Sequence, residues 1–256
     1  MKGLIIKDLM CLRKQRIIFS LAVIETFIVS VMFVQSYKYG NIHKAAAVIV
    51  SLDPEGSWLV NLGSLLILIL FMLIPIALTD VTVVFEYDDK AGFAPVSASL
   101  PVSTEKRVLS RYFSAFSMLG IGVGADILIS FILSRITDII DFKDFLSIIL
   151  SSASIMIMFD SLAVLFCFRL GKGKEAASRL VSLLAMFCGF FLVFFKKIRE
   201  ILVCISNETV ADLSYITGAL DFIKEKYYLL LAAAFVVTVA SYLCALKTAT
   251  EKRGII

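Results

Sequence analysis

Three acids set in apolar surroundings are the residues best placed to do chemistry in this sequence: Glu25, Asp126 and Asp160. A lone carboxylate in hydrocarbon costs at least about 2.5–3.5 kcal/mol, so each must face protein or water, or carry a proton. Two readings follow. The acids are hydrogen-bonded contacts between helices, or they line a route and relay protons along it.

Other chemistries are excluded by spacing. An intramembrane aspartyl protease places its acid directly after Gly-x-Gly. Here Gly122-Val123-Gly124 is followed by Ala125, which turns Asp126 about 100° out of that position on a helix. Asp160 follows Phe159 where the partner acid of such a protease follows Tyr. The run Arg169-Leu-Gly-Lys-Gly-Lys-Glu lacks the G-x-x-x-x-G-K-[ST] spacing of a phosphate loop and reads as a basic turn. The single histidine, His43, has no second ligand nearby, so no zinc site is expected. Of the 5 cysteines only Cys204 falls on the expected outer side, which leaves no intrachain disulfide there. Phe187, Phe190, Phe191 and Phe194 form a stripe at helical spacing. Packing or lipid contact accounts for it, and Phe187 and Phe191 are the members that could line a pathway.

The elements that must hold these residues are membrane helices. At 60% apolar content and a mean hydropathy of +0.95, the chain exceeds the roughly 45–50% of soluble domains. Six apolar runs have a length near the roughly 20 residues a span needs: 17–35, 58–79, 112–134, 145–168, 180–195 and 227–246. They predict a single all-α transmembrane domain over 1–256, with membrane lipid around it. The first run is full length and follows a charged helical segment, so it is expected to stay as a span. Ile5, Leu9 and Leu12 recur at helical spacing before it and predict an interfacial helix over Met1–Arg16. Between the fifth and sixth runs, Ile198, Ile201, Leu202 and Ile205, then Leu213, Ile216, Leu220 and Ile223, predict two short amphipathic helices on the outer leaflet. Sixteen of the 25 Lys and Arg fall in the N-terminal segment, two alternate loops and the C-terminal tail, which places both termini in the cytoplasm. The net charge of +4 is therefore a topology signal, and no nucleic-acid partner is expected.

One connection differs from the rest. Phe85 to Tyr112 holds two of the 4 prolines, four acids and four bases between two apolar runs. Its unsatisfied backbone groups would cost several kcal/mol each in hydrocarbon, so it must project into water. Room for a short helix there makes it a mechanical contact through which another protein can act on the membrane part.

These features together resemble a permease subunit of a type-2 ABC exporter. The specific residues are Phe85, Glu86, Asp88, Gly92 and Phe93, then Leu100-Pro101-Val102-Ser103, Val108-Leu109 and Arg111-Tyr112, with Lys7-Asp8-Leu9 near the start. They are similar to a bacterial subfamily that includes the membrane subunits of the phenol-soluble-modulin exporter. The resemblance implies a coupling helix between spans two and three, contacted by a cytoplasmic ABC ATPase in two copies. Phe85, Glu86, Asp88, Asp89, Gly92, Phe93, Leu100, Pro101 and Ser103 would form that contact. It further implies a second permease chain, identical or a sister, in a bacterial plasma membrane. No cofactor is expected on this chain, with ATP and Mg on the partner, and the cargo would be an amphipathic peptide or another hydrophobic molecule. The alternatives are a proton-coupled carrier using Glu25, Asp126 and Asp160, and a membrane scaffold or sensor.

Overall fold

The computed structural model of the chain describes residues 2–39, 82–93, 102–136, 142–206 and 214–253, and all regular structure among them is α-helical. The helices are α1 (Lys2–Cys11), α2 (Arg13–Lys38), α3 (Thr82–Lys90), α4 (Thr104–Ile136), α5 (Phe142–Leu170), α6 (Glu175–Ser206) and α7 (Ser214–Arg253). Four of them carry stretches long and apolar enough to cross a membrane: Thr104–Arg135, Phe142–Leu170, Glu175–Leu192 and Lys226–Glu251. Helix α2 adds a shorter apolar stretch, Ile17–Met32. The expected second span at 58–79 lies outside the described residues, as do His43, Leu100 and Pro101.

Local chemistry explains where the helices start and stop. Ser103 caps α4: its Oγ accepts a hydrogen bond from the Lys106 amide at 3.4 Å, and Glu105 sits in the first turn against the positive end of the helix dipole. The third span's helix therefore begins at Thr104, and residues 104–112, expected to be loop, form its first two turns. Helix α5 ends at Gly171, whose φ of 85° is the left-handed conformation that closes a helix, with its amide donating to the Cys167 carbonyl. Gly173, at φ 71°, completes a tight turn into α6. At the amino terminus only Leu12 separates α1 from α2.

Two further expectations are corrected. The amphipathic segment over 198–205 is not a separate surface helix but the last turns of α6, because no Gly or Pro interrupts the chain between Gly189 and Ser206. Likewise Ser214 onward is continuous with the sixth span as α7. The break near Asn207 lies outside the described residues.

The most extensive packing joins α5 to α7, and small residues make it. Ala153, Ser154, Ser161 and Ala163 on α5, and Ala234, Ser241 and Ala245 on α7, are all buried. Without bulky ridges the two backbones approach closely, which is how helices associate where water supplies no hydrophobic drive. The buried hydroxyls are satisfied: Ser154 Oγ donates to the Leu150 carbonyl at 2.7 Å, and Ser161 Oγ pairs with Thr238 Oγ1 at 2.9 Å. Tyr112 of α4 joins this seam, its hydroxyl donating to Ser241 Oγ (3.2 Å) or to the Ser161 carbonyl (3.4 Å). Among the described residues, a Cβ added at Gly120 or Gly124 of α4 would meet nothing within 4 Å, so neither glycine makes a close approach there.

Segments that the charge bias assigns to one side of the membrane gather at one end of the bundle. They are α1, α3, the first turns of α4, the α5–α6 turn and the last turns of α7. Ala245 is fully buried there among Val108, Tyr112 and Val164. Ala245→Leu would overpack this cluster, at about 1–3 kcal/mol. The expected outcome is a lower melting temperature of the purified protein in detergent, with no change for Leu243→Ala on the exposed face of the same helix. Equal melting of Ala245→Leu and the unaltered protein would contradict the packing described.

Candidate functional site

Helix α3 is short, but it touches four other helices. Val83 and Val84 pack with Leu9 and Leu12 from the amino-terminal segment and Met118 of α4. Phe85 meets Phe168 of α5 edge-on, ring centroids 5.4 Å apart. Thr82 Oγ1 accepts a hydrogen bond from Arg179 Nε of α6. Its end is fixed as well: the Ala91 amide donates to the Tyr87 carbonyl and the Gly92 amide to the Asp89 carbonyl, with Gly92 at φ 61°.

The strongest link is ionic. Lys7 Nζ donates to Asp88 Oδ1 at 2.6 Å and lies 3.1 Å from Asp8 Oδ1. Arg111 forks between the same two acids, donating from Nη1 to Asp8 Oδ1 at 2.8 Å and from Nη2 to Asp88 Oδ2. Ser114 Oγ adds a hydrogen bond to Asp8 Oδ2 at 3.3 Å. Two acids and two bases from α1, α3 and α4 thus form a neutral, largely buried square. Each cation also lies over a ring, Lys7 above Phe93 at 4.0 Å and Arg111 above Phe85 at 5.0 Å. Asp8 is 1% exposed. Burial pushes its carboxyl above the ordinary range, while Arg111 and then Lys7 pull it back.

The residues expected to meet a partner therefore divide. Phe85, Asp88 and Phe93 turn toward the chain's own helices, whereas Glu86 and Lys90 pair with each other on the outer face at 2.6 Å. That hydrogen bond and the charge of Lys90 lower the Glu86 carboxyl. Asp89 bridges sideways, its Oδ2 accepting from the Gly173 amide of the α5–α6 turn at 2.8 Å. Gly92 is exposed, and Ser103 serves as the cap of α4.

The three acids singled out for a proton route do not come together. Glu25 lies on an exposed face of α2 beside Leu21, Ile24 and Ile28. Asp126 is buried in α4, and neither carboxylate oxygen has a hydrogen-bond partner among the described residues. Asp160, on α5, is level with Tyr112, because the Tyr112 hydroxyl reaches the Ser161 carbonyl. Asp126 is 14 residues farther along α4, about 20 Å away by helical rise. Phe187 and Phe191 are exposed on α6, and Phe191 meets Phe195 edge-on at 5.4 Å.

Helix α3 is thus held by four helices of its own chain and shows Glu86 and Lys90 on its outward face. Residues 57–249, about three quarters of the chain, match the ABC-2 family transporter protein family. The chain belongs to the ABC-2 transporter family. No curated protein and no solved structure matches it. Family membership makes this ABC-2 protein a multi-pass membrane subunit of an ABC transporter, associated with an ABC ATPase subunit. Asp88 and Arg111 fall within the matched residues, while Lys7 and Asp8 precede them.

The square was missed as a site because Lys7, Asp8 and Arg111 read only as parts of a resemblance. A signal was present: Asp8 lies four residues after Leu4 and four before Leu12, an acid on the apolar stripe of its helix. Removing one member of a buried ion cluster leaves charge uncompensated, at about 3–5 kcal/mol. Arg111→Met in the ABC-2 protein is expected to lower its thermal stability sharply, and Asp8→Asn added to it should restore part of the loss. Glu86→Gln, on the exposed face, should leave the melting temperature unchanged. A stable Arg111→Met single variant would show that the cluster does not hold α1, α3 and α4 together.

Proposed function

We propose that the chain is the membrane-spanning subunit of an ATP-driven exporter in a bacterial plasma membrane, and that α3 is its coupling helix. Two ATPase subunits supply the energy, with ATP and Mg bound on them and no cofactor on this chain. A second permease chain, identical or a sister, completes the pathway. The cargo is an amphipathic peptide or another hydrophobic molecule that enters sideways from the membrane. Six spans with both termini in the cytoplasm put α3 on the side where ATP is available.

The observation that carries this reading is the linkage of α3 to α1, α4, α5 and α6 through the ion square, Phe168 and Arg179. A displacement applied to its outer face is passed on through these contacts. It must move helices that cross the membrane, as rigid-body switching requires. Exposed apolar side chains such as Leu128, Leu192 and Phe235 supply surface for lipid or a second chain.

Because Asp88 is part of the buried square, the test of coupling uses the outer face. Glu86→Lys with Lys90→Glu, which reverses the charge order while keeping a pair, should leave insertion and thermal stability intact. ATP-driven transport in vesicles containing the ABC ATPase subunit should fall at least about tenfold, the rate penalty of roughly 1.4 kcal/mol at the contact. Full transport by this variant would rule out α3 as the coupling element.

Sidedness has its own test. A membrane-impermeant thiol reagent added to intact cells should modify Cys204 and spare Cys11, which is half-buried beside the ion square. Labelling of Cys11 without Cys204 would invert the topology.

A further inference from the structure

The Gly-Lys-Gly-Lys turn between α5 and α6 has no part in the coupling scheme so far, yet the structure brings it beside α3. Asp89 Oδ2 accepts a hydrogen bond from the Gly173 amide at 2.8 Å, across 84 residues of sequence. Glu175 Oε1 takes a second, longer share of the same amide at 3.2 Å. One helical turn along, Arg179 holds Thr82 at the other end of α3. The two elements are therefore fastened at both ends. Their charges are in reach of each other too: Glu175 raises the Lys90 ammonium after Glu86, and Arg179 lowers the Glu86 carboxyl after Lys90.

The backbone of the turn is built for its shape. Gly171 and Gly173 both take positive φ, at 85° and 71°, where side chains are rarely tolerated. The two lysines between and after them, Lys172 and Lys174, are exposed and form no ion pair among the described residues. The two lysines, 2 residues apart and in no ion pair among the described residues, flank the Gly173 amide that Asp89 and Glu175 share, and they present a basic edge next to the outer face of α3. Such an edge steers and orients a partner of opposite charge more than it stabilises the chain carrying it.

We propose that α3 and the 171–174 turn form one docking surface for the ATPase subunit, with Lys172 and Lys174 meeting acidic side chains and Asp89 pinning the two parts in register. This rests on the reading of the chain as an ATP-driven permease and adds a second prong to its contact. The ATPase then grips α3 and the α5–α6 hairpin together, so that the coupling helix and two spanning helices receive the same displacement. Asp89 is a positioning residue in this scheme. It touches no partner atom but sets where the lysines stand.

The experiment uses the full chain purified with its ABC ATPase subunit. Binding of that subunit to the permease in detergent is measured across a salt series, alongside amide hydrogen exchange of the turn. Lys172→Glu with Lys174→Glu is expected to weaken binding at low salt at least about tenfold and to flatten its salt dependence. Lys143→Glu, at the opposite end of α5, should change neither. Asp89→Ala is expected to speed exchange at Gly173 about threefold or more and to reduce stimulation of ATP hydrolysis, while both lysines remain. Unchanged binding and salt dependence in the double-lysine variant, with the Glu86/Lys90 swap still defective, would overturn the second prong and leave the coupling helix standing. Faster exchange in Asp89→Ala without loss of stimulation would overturn the pin. If the unaltered chain binds no ATPase at all, the permease reading itself falls and this proposal with it.

Discussion

Four charges held out of water constrain this end of the molecule. Lys7, Asp8, Asp88 and Arg111 come from three helices, and none of them can leave without stranding a buried partner. An apolar contact at the same place would tolerate sliding, since dispersion depends weakly on register. A square of charge-assisted hydrogen bonds does not. It accepts one arrangement of α1, α3 and α4, and the cation–ring contacts to Phe85 and Phe93 narrow it further. The rest of the bundle is held by the opposite means, small residues and backbone-satisfied hydroxyls that allow close approach along α5 and α7.

That division of labour suits a machine driven from one end. Specific polar contacts cluster where force would enter, and the seam between α5 and α7 is smooth and small-featured where helices would have to move as bodies. Where Tyr112, Ser161, Thr238 and Ser241 meet, the polar network reaches into the seam and ties the base of α4 to α7.

Much of this was legible in the sequence, and the reasons differ by element. Apolar run length revealed the spanning helices, since hydrocarbon thickness leaves few alternatives. The polar stretch after the second run left room for a short helix, and α3 fills part of it. Exact ends were not legible: Ser103 as a cap and Gly171 as a stop were visible residues, but hydropathy weighed the polar first turns of α4 as loop. The continuity of α6 through Lys196 and Lys197 was hidden because charge reads as an interface even when the backbone carries on as helix. The site was legible only in part. Asp88 and Phe85 stood out by type, yet their partners Lys7 and Arg111 are 81 and 23 residues from Asp88, and nothing local signals that pairing. The Asp89–Gly173 contact was less visible still, because one of its two partners is a backbone amide.

The ion square also sets an order of assembly. Lys7 and Asp8 are made first, with Arg111 still 103 residues of synthesis away from Asp8. Until that guanidinium exists, a buried Asp8 would lack the fork that holds it, so α1 cannot close its contact with α3 and α4. The helix that begins the chain therefore completes its docking only after α3 and α4 have been made. Its docking then marks the point at which α3 and α4 have reached their places.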